Sequence, residues 1–194
     1  MSAETGIPKS IEWYRLREQI QNKAIVRGRV VLSSGAEADY YVDLRRVTLD
    51  GVAAPLVGDV MLDLVSGYPA DAVGGLTLGA DPVATAMLHA AVGQGRALDA
   101  FVVRKEGKAH GLQRRIEGPD VAGRPVIAVE DTSTSGASVL TAVEALREAG
   151  ATVTAVAVIV DRGAGDAVRA AGLDLSLIHI SEPTRPPVAS RMPS

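Results

Sequence analysis

The stretch Pro125 to Ser138, P-V-I-A-V-E-D-T-S-T-S-G-A-S, restricts the fold more than any other part of the chain. Val126 to Val129 is an unbroken apolar run, as expected of a strand buried on both faces of a parallel sheet. Two acids, Glu130 and Asp131, follow it, and the small, hydroxyl-rich run Thr132 to Ser138 then opens a helix. Val139, Leu140, Val143 and Leu146 supply that helix's apolar stripe, and Gly150 suits its end. The first N–H groups of a helix lack partners within it, and its dipole favours an anion there. Small side chains let a phosphate reach that backbone. The acids repel the same phosphate, but they accept hydrogen bonds from vicinal hydroxyls or hold a hydrated cation. A sugar phosphate satisfies both halves. A merely capped turn needs one hydroxyl residue, and this one carries five.

From Ala72 onward, strands and helices alternate in the pattern of a parallel α/β sheet. Strands are expected at Ala72 to Leu76, Ala100 to Val103, Val126 to Val129 and Thr152 to Val160, with helices at Asp81 to Ala91 and Gly165 to Ala171. Upstream, Lys9 to Ile25 reads as a helix. Arg29 to Leu32 and Tyr40 to Leu44 read as a hairpin around Ser33-Ser34-Gly35-Ala36, and Gly51 to Val65 as a second helix ended by Gly67-Tyr68-Pro69. Residues 1–173 are therefore expected to form one domain, with 1–50 as a small N-terminal portion. The last 21 residues, 174–194, hold four of the ten prolines and no glycine. Ser176 to Ile180 can form a short strand, but Glu182 onward reads as a disordered or artefactual tail, from a frameshift or read-through.

The bulk properties exclude several classes. A net charge of −3 gives no electrostatic reason to expect nucleic acid. With no cysteine, thiolate chemistry, disulfides and cysteine-held zinc are out. The first 25 residues lack the apolar segment of a signal peptide, and no 18-residue apolar run appears, so a cytoplasmic protein is expected.

Three further stretches carry chemistry. Gly74-Gly75-Leu76-Thr77-Leu78-Gly79-Ala80-Asp81-Pro82 joins a strand to a helix through glycines, with Asp81 placed as N-cap and Pro82 as first helical residue. Arg104 to Asp120 separates two core strands without a helical stripe, and its first half gathers Arg104, Lys105, Lys108 and His110 around Gly107 and Gly111, which let the backbone move. Cations on such a loop can cover a polyanion and stabilise a departing one, although a solvated charge run has the same composition. Arg162 follows the Thr152 to Val160 strand, at the sheet end where ligands of such folds bind, and its planar fork matches a carboxylate. Tyr40 and Tyr41, two of four tyrosines, alternate across a strand, which packing alone explains.

The segment Val126 to Ser138 resembles the phosphoribosyl-diphosphate (PRPP) signature of the type I phosphoribosyltransferases. The run R-K-x-x-K-x-H-G from Arg104 to Gly111 is similar to the loop of that family's orotate-using members. The resemblance spans roughly 27–173. It implies a central parallel sheet flanked by helices beneath a small N-terminal helix–hairpin hood. It also implies transfer of ribose 5-phosphate from PRPP to orotate, with Mg2+ carried by PRPP and no metal held by the protein. Glu130 and Asp131 are then expected at the ribose hydroxyls, and Thr132, Ser133, Thr134, Ser135, Gly136, Ala137 and Ser138 at the 5-phosphate. Arg104, Lys105, Lys108 and His110 are expected at PRPP, reaching across a homodimer into the neighbouring site, with Lys108, His110 and Asp131 catalytic. Thr134, Arg162 and Tyr41 are expected at orotate, and the loop around Leu78 at the pyrophosphate. Two positions depart from the family pattern: Ser33 and Leu78 stand where many relatives carry a basic residue. Transfer to another base, and a PRPP-sensing regulator without catalysis, remain alternatives. Arg162 and the 104–110 loop speak against the first. The absence of room for a nucleic-acid-binding element speaks against the second.

Overall fold

The apolar run at Val126 is shared between two cores, and that division sets the architecture. The computed structural model describes residues 9–31, 37–105 and 115–178. In chain order its elements begin with helix α1 (Ile11–Lys23), the hairpin β1 (Ile25–Val31) and β2 (Glu37–Val42), the single turn α2 (Arg45–Thr48) and helix α3 (Ala53–Leu64). They continue with β3 (Ala72–Leu76), α4 (Ala80–Gly93), β4 (Asp99–Val103), β5 (Ile116–Glu117) and β6 (Pro125–Ser133). The last are α5 (Ala137–Glu148), β7 (Thr152–Asp161), α6 (Gly165–Ala170) and β8 (Leu175–Leu177).

Six strands form one sheet in the order β5-β4-β3-β6-β7-β8, parallel except for β5. Along β6, Ile127 and Val129 face a core built with α1, α3 and α4, while Val126 and Ala128 face a second core with α5 and α6. All four are fully buried, which is why no polar residue interrupts the run. The antiparallel β1–β2 hairpin, which pairs Ile25↔Val42 at one end and Val31↔Glu37 at the other with a register shift between Arg27 and Val30, and α1 make up the N-terminal portion.

Several sequence expectations shift at their boundaries. The first helix begins at Ile11, capped by the Ser10 side chain accepting the Trp13 N–H at 3.2 Å, and ends at Lys23, because Ile25 pairs with Val42 as the start of β1. The second hairpin strand stops at Val42, and Leu44 is a buried core residue instead. Residues 32–36, the expected turn, lie outside the described residues. The Arg104 to Asp120 stretch, read as a loop throughout, contains β5, tied antiparallel to β4 by Val103↔Ile116 and Val102↔Glu117. Asp81 is not the N-cap of α4: the helix starts at Ala80, two residues before Pro82, leaving Gly79 in that place. Finally, the presumed tail begins inside the fold. β8 pairs with β7 through Val156↔Leu175 and Val158↔Leu177, and Ile178 is buried in the first core.

Candidate active site

Strand β6 runs four residues past its apolar segment because β7 follows it, pairing Ser133 with Asp161. The acidic pair therefore lies within the strand and not after it. Glu130 is buried, and Asp131 half-buried. The Asp131 N–H donates to Glu130 Oε1 at 3.2 Å, and the Thr132 N–H donates to Asp131 Oδ1 at 2.6 Å. Burial pushes Glu130 up to about 8 from an ordinary 4.5, helped by the charges of Asp131 and Asp81. Burial also raises Asp131, although the Thr132 N–H and the Arg45 guanidinium oppose the rise. Burial thus favours the protonated form of both acids. They can exchange that proton for hydrogen bonds from a ligand's hydroxyls.

The loop after β6 is short and turns on Gly136, whose φ of +80° is a left-handed conformation. A Cβ there would also lie 3.2 Å from the Ala167 Cβ of α6, a tight contact that adds to the strain of any larger residue. Helix α5 starts without a side-chain cap, and Thr134, Ser135, Ala137 and Ser138 are exposed around its N-terminus. That is the open, small-residue cradle expected from the sequence. Thr132 and Ser133 belong to the strand. Ser133 is buried, and its carbonyl accepts the Arg162 N–H at 2.7 Å. Arg162 is thereby fixed at the carboxyl end of β7, beside the cradle. Asp161, which sequence reasoning passed over, shapes this turn by accepting the N–H groups of Gly163 at 3.0 Å and Ala164 at 2.7 Å.

A second wall comes from β3 and the loop leading to α4. Gly79 packs directly on the acids: a Cβ there would sit 2.5 Å from Glu130 Oε1 and 2.8 Å from Asp131 Oδ1. The glycine is what lets the loop approach. Leu78 is 70% exposed, and beside it a cavity of about 710 Å3 opens between α2, α3 and α4, lined by Arg45, Leu49, Asp81, Pro82 and His89 among others. Arg45 is a further residue that sequence reasoning missed. Its Nε donates to Asp43 Oδ1 at 2.9 Å, and its charge reaches Asp131. An arginine in the α2 turn carries no motif; only the tertiary fold brings it here. Tyr41 is partly exposed on β2, and Tyr40 half-buried, as alternation predicts.

Arg104 and Lys105 stand exposed at the end of β4. The Arg104 N–H donates to the Arg115 carbonyl at 2.7 Å, and its guanidinium lies 3.7 Å from Glu117, closing the base of the loop they begin. Lys108 and His110 lie outside the described residues. Among the described residues, no group of three or more His, Asp or Glu could hold a metal ion, and no helix is long and apolar enough to cross a membrane.

The buried acidic pair and the hydroxyl-rich helix start lie together at the carboxyl edge of the parallel strands, where ligands of such sheets bind. Residues 68–190 match the phosphoribosyl transferase domain family. The chain is 69% identical over 156 residues to the orotate phosphoribosyltransferase of Streptomyces coelicolor, covering 79% of this chain and 86% of that one. Against the Corynebacterium glutamicum enzyme of the same name the identity is 55% over 170 residues, with 86% and 91% covered. The crystal structure of Mycobacterium tuberculosis orotate phosphoribosyltransferase in complex with PRPP superposes with a TM-score of 0.75 at 47% identity, covering 86% of this chain and 94% of that chain. The chain belongs to the orotate phosphoribosyltransferase family.

Proposed function

We propose that the protein transfers the 5-phosphoribosyl group of PRPP to orotate, giving orotidine 5′-phosphate and pyrophosphate in pyrimidine biosynthesis. The observation that carries this is the pairing of Glu130 and Asp131 with the exposed 134–138 cradle, since one wall suits ribose hydroxyls and the other a phosphate. In the reaction the bond from the anomeric carbon to pyrophosphate breaks, a ring nitrogen of orotate gives up its proton, which leaves with the pyrophosphate, and bonds to that carbon, and charge of oxocarbenium character develops on the ribose. The acids hold the ribose hydroxyls and place negative charge beneath that cation. The α5 N-terminus and the hydroxyls of Thr134, Ser135 and Ser138 hold the 5-phosphate. Arg162 meets the orotate carboxylate in a planar fork, with Thr134 and Tyr41 beside the ring. Arg104, Lys105, Lys108 and His110 gather on the departing pyrophosphate, with Lys108 taking up its growing charge.

Mg2+ arrives with PRPP as part of the substrate. The acid pair fits that role, because its carboxylate oxygens can accept from metal-bound water without ligating the ion themselves. A homodimer is proposed from the exposed Leu49 and Leu78, which line the 710 Å3 cavity with Ala54 and Pro55, an apolar face suited to a second copy. Cytoplasmic residence is proposed with the pathway. The experiment is pyrophosphate release from PRPP offered orotate, uracil, adenine or hypoxanthine in turn. Release with orotate alone is expected, and release with one of the others instead would assign a different acceptor.

A further inference from the structure

We propose that Asp81 is a positioning residue for the loop from Thr77 to Ala80, fixing its backbone for a pyrophosphate group through the Thr77 hydroxyl. The inference rests on the reading that this loop faces pyrophosphate. Three tethers hold the loop. The Thr77 N–H donates to the Val103 carbonyl at 2.9 Å, anchoring its start to β4. Thr77 Oγ1 donates to Asp81 Oδ2 at 2.7 Å, joining its start to the helix that follows. Gly79 is pressed against Glu130 and Asp131 in between.

The carboxylate is not used to cap α4, which starts without a side-chain hydrogen bond. Its other oxygen, Oδ1, is buried and accepts no hydrogen bond among the described residues. An acid beside an anion site is unfavourable as a direct ligand. Lying in the first turn of α4, it is offset by the helix dipole, and its charge-assisted bond to Thr77 then acts on the backbone. That matters here because Leu78 brings no cation. Contacts to an anion fall to backbone N–H groups, which are effective only if they are already in place.

The test is calorimetric titration of the full chain with inorganic pyrophosphate and, separately, with ribose 5-phosphate, both with Mg2+. Thr77→Val and Asp81→Ala are each expected to weaken pyrophosphate binding about tenfold or more, the loss of one hydrogen bond to a charged group. The double variant should be no weaker than the worse single one, and Thr77→Ser and Asp81→Asn should recover most of the affinity. Ribose 5-phosphate should bind within about twofold of wild type, since the 134–138 cradle holds it. Unchanged pyrophosphate affinity, with or without a lower Tm, overturns the positioning role, as do additive losses in the double variant. A loss confined to ribose 5-phosphate sinks instead the reading that the loop faces pyrophosphate.

Discussion

Replacing Glu130 with glutamine keeps the shape of the site and removes its buried titratable carboxyl. In the folded protein that carboxyl titrates near 8, against 4.5 ordinarily, because burial and the charge of Asp131 disfavour its ionised form. Between those values the folded chain holds a proton that the unfolded chain has released. Stability is therefore fully present below 4.5 and falls as pH rises towards 8. At about 1.4 kcal/mol per pH unit, the step from pH 5 to pH 8 removes on the order of 4 kcal/mol. The two neighbouring acids affect each other's titration, so this is a ceiling. Glu130→Gln has nothing to titrate there. Its Tm should draw ahead of wild type by up to roughly 8–16 °C between pH 5 and pH 8, at about 2–4 °C per kcal/mol for a domain of this size. Thermal melts of the two proteins without ligand, in steps of half a pH unit, read this difference directly. Curves that stay parallel would refute the reasoning.

Lys108→Ala should lower kcat by about 10²–10³, the usual loss on removing one preorganised electrostatic group, while Tm stays unchanged. An unchanged kcat removes Lys108 from the mechanism. Mixing a Lys108→Ala chain with an Arg162→Ala chain should restore part of the activity if the 104–111 loop serves the neighbouring subunit, and no recovery counts against sharing. Ile178→Ala should cost about 2–5 kcal/mol by denaturant unfolding, because this side chain is 1% exposed in the core beside β7. A loss below 1 kcal/mol would place Ile178 outside the packed structure.

The fold was legible where burial is two-sided. The runs at Ala72, Val126 and Thr152 have one reading only, and each is a central strand of the sheet. What the sequence concealed depends on pairing partners far along the chain. Glu130 and Asp131 look like the start of a loop until β7 is seen to carry the ladder on to Ser133. The two residues of β5 have no periodicity of their own and become a strand only against β4. Leu175 to Ile178 sit in a compositionally odd stretch, yet their apolar side chains suffice to cover the β7 edge and the core beneath it. The site divides in the same way. The acids, the cradle and Arg162 lie in contiguous motifs and could be named from the residues. Arg45, Asp161 and the Thr77–Asp81 bond act through distance or backbone geometry, and no spacing in the sequence encodes them.

Glu130 and Asp131 are proposed as the ribose-binding wall of a PRPP site. Titrating PRPP with Mg2+ into the wild-type chain and into a Glu130→Ala, Asp131→Ala double variant tests this proposal most directly. Loss of two hydrogen bonds to charged groups predicts affinity at least about 100-fold weaker in the double variant, which remains folded. Equal affinity for PRPP in the two proteins would contradict the assignment.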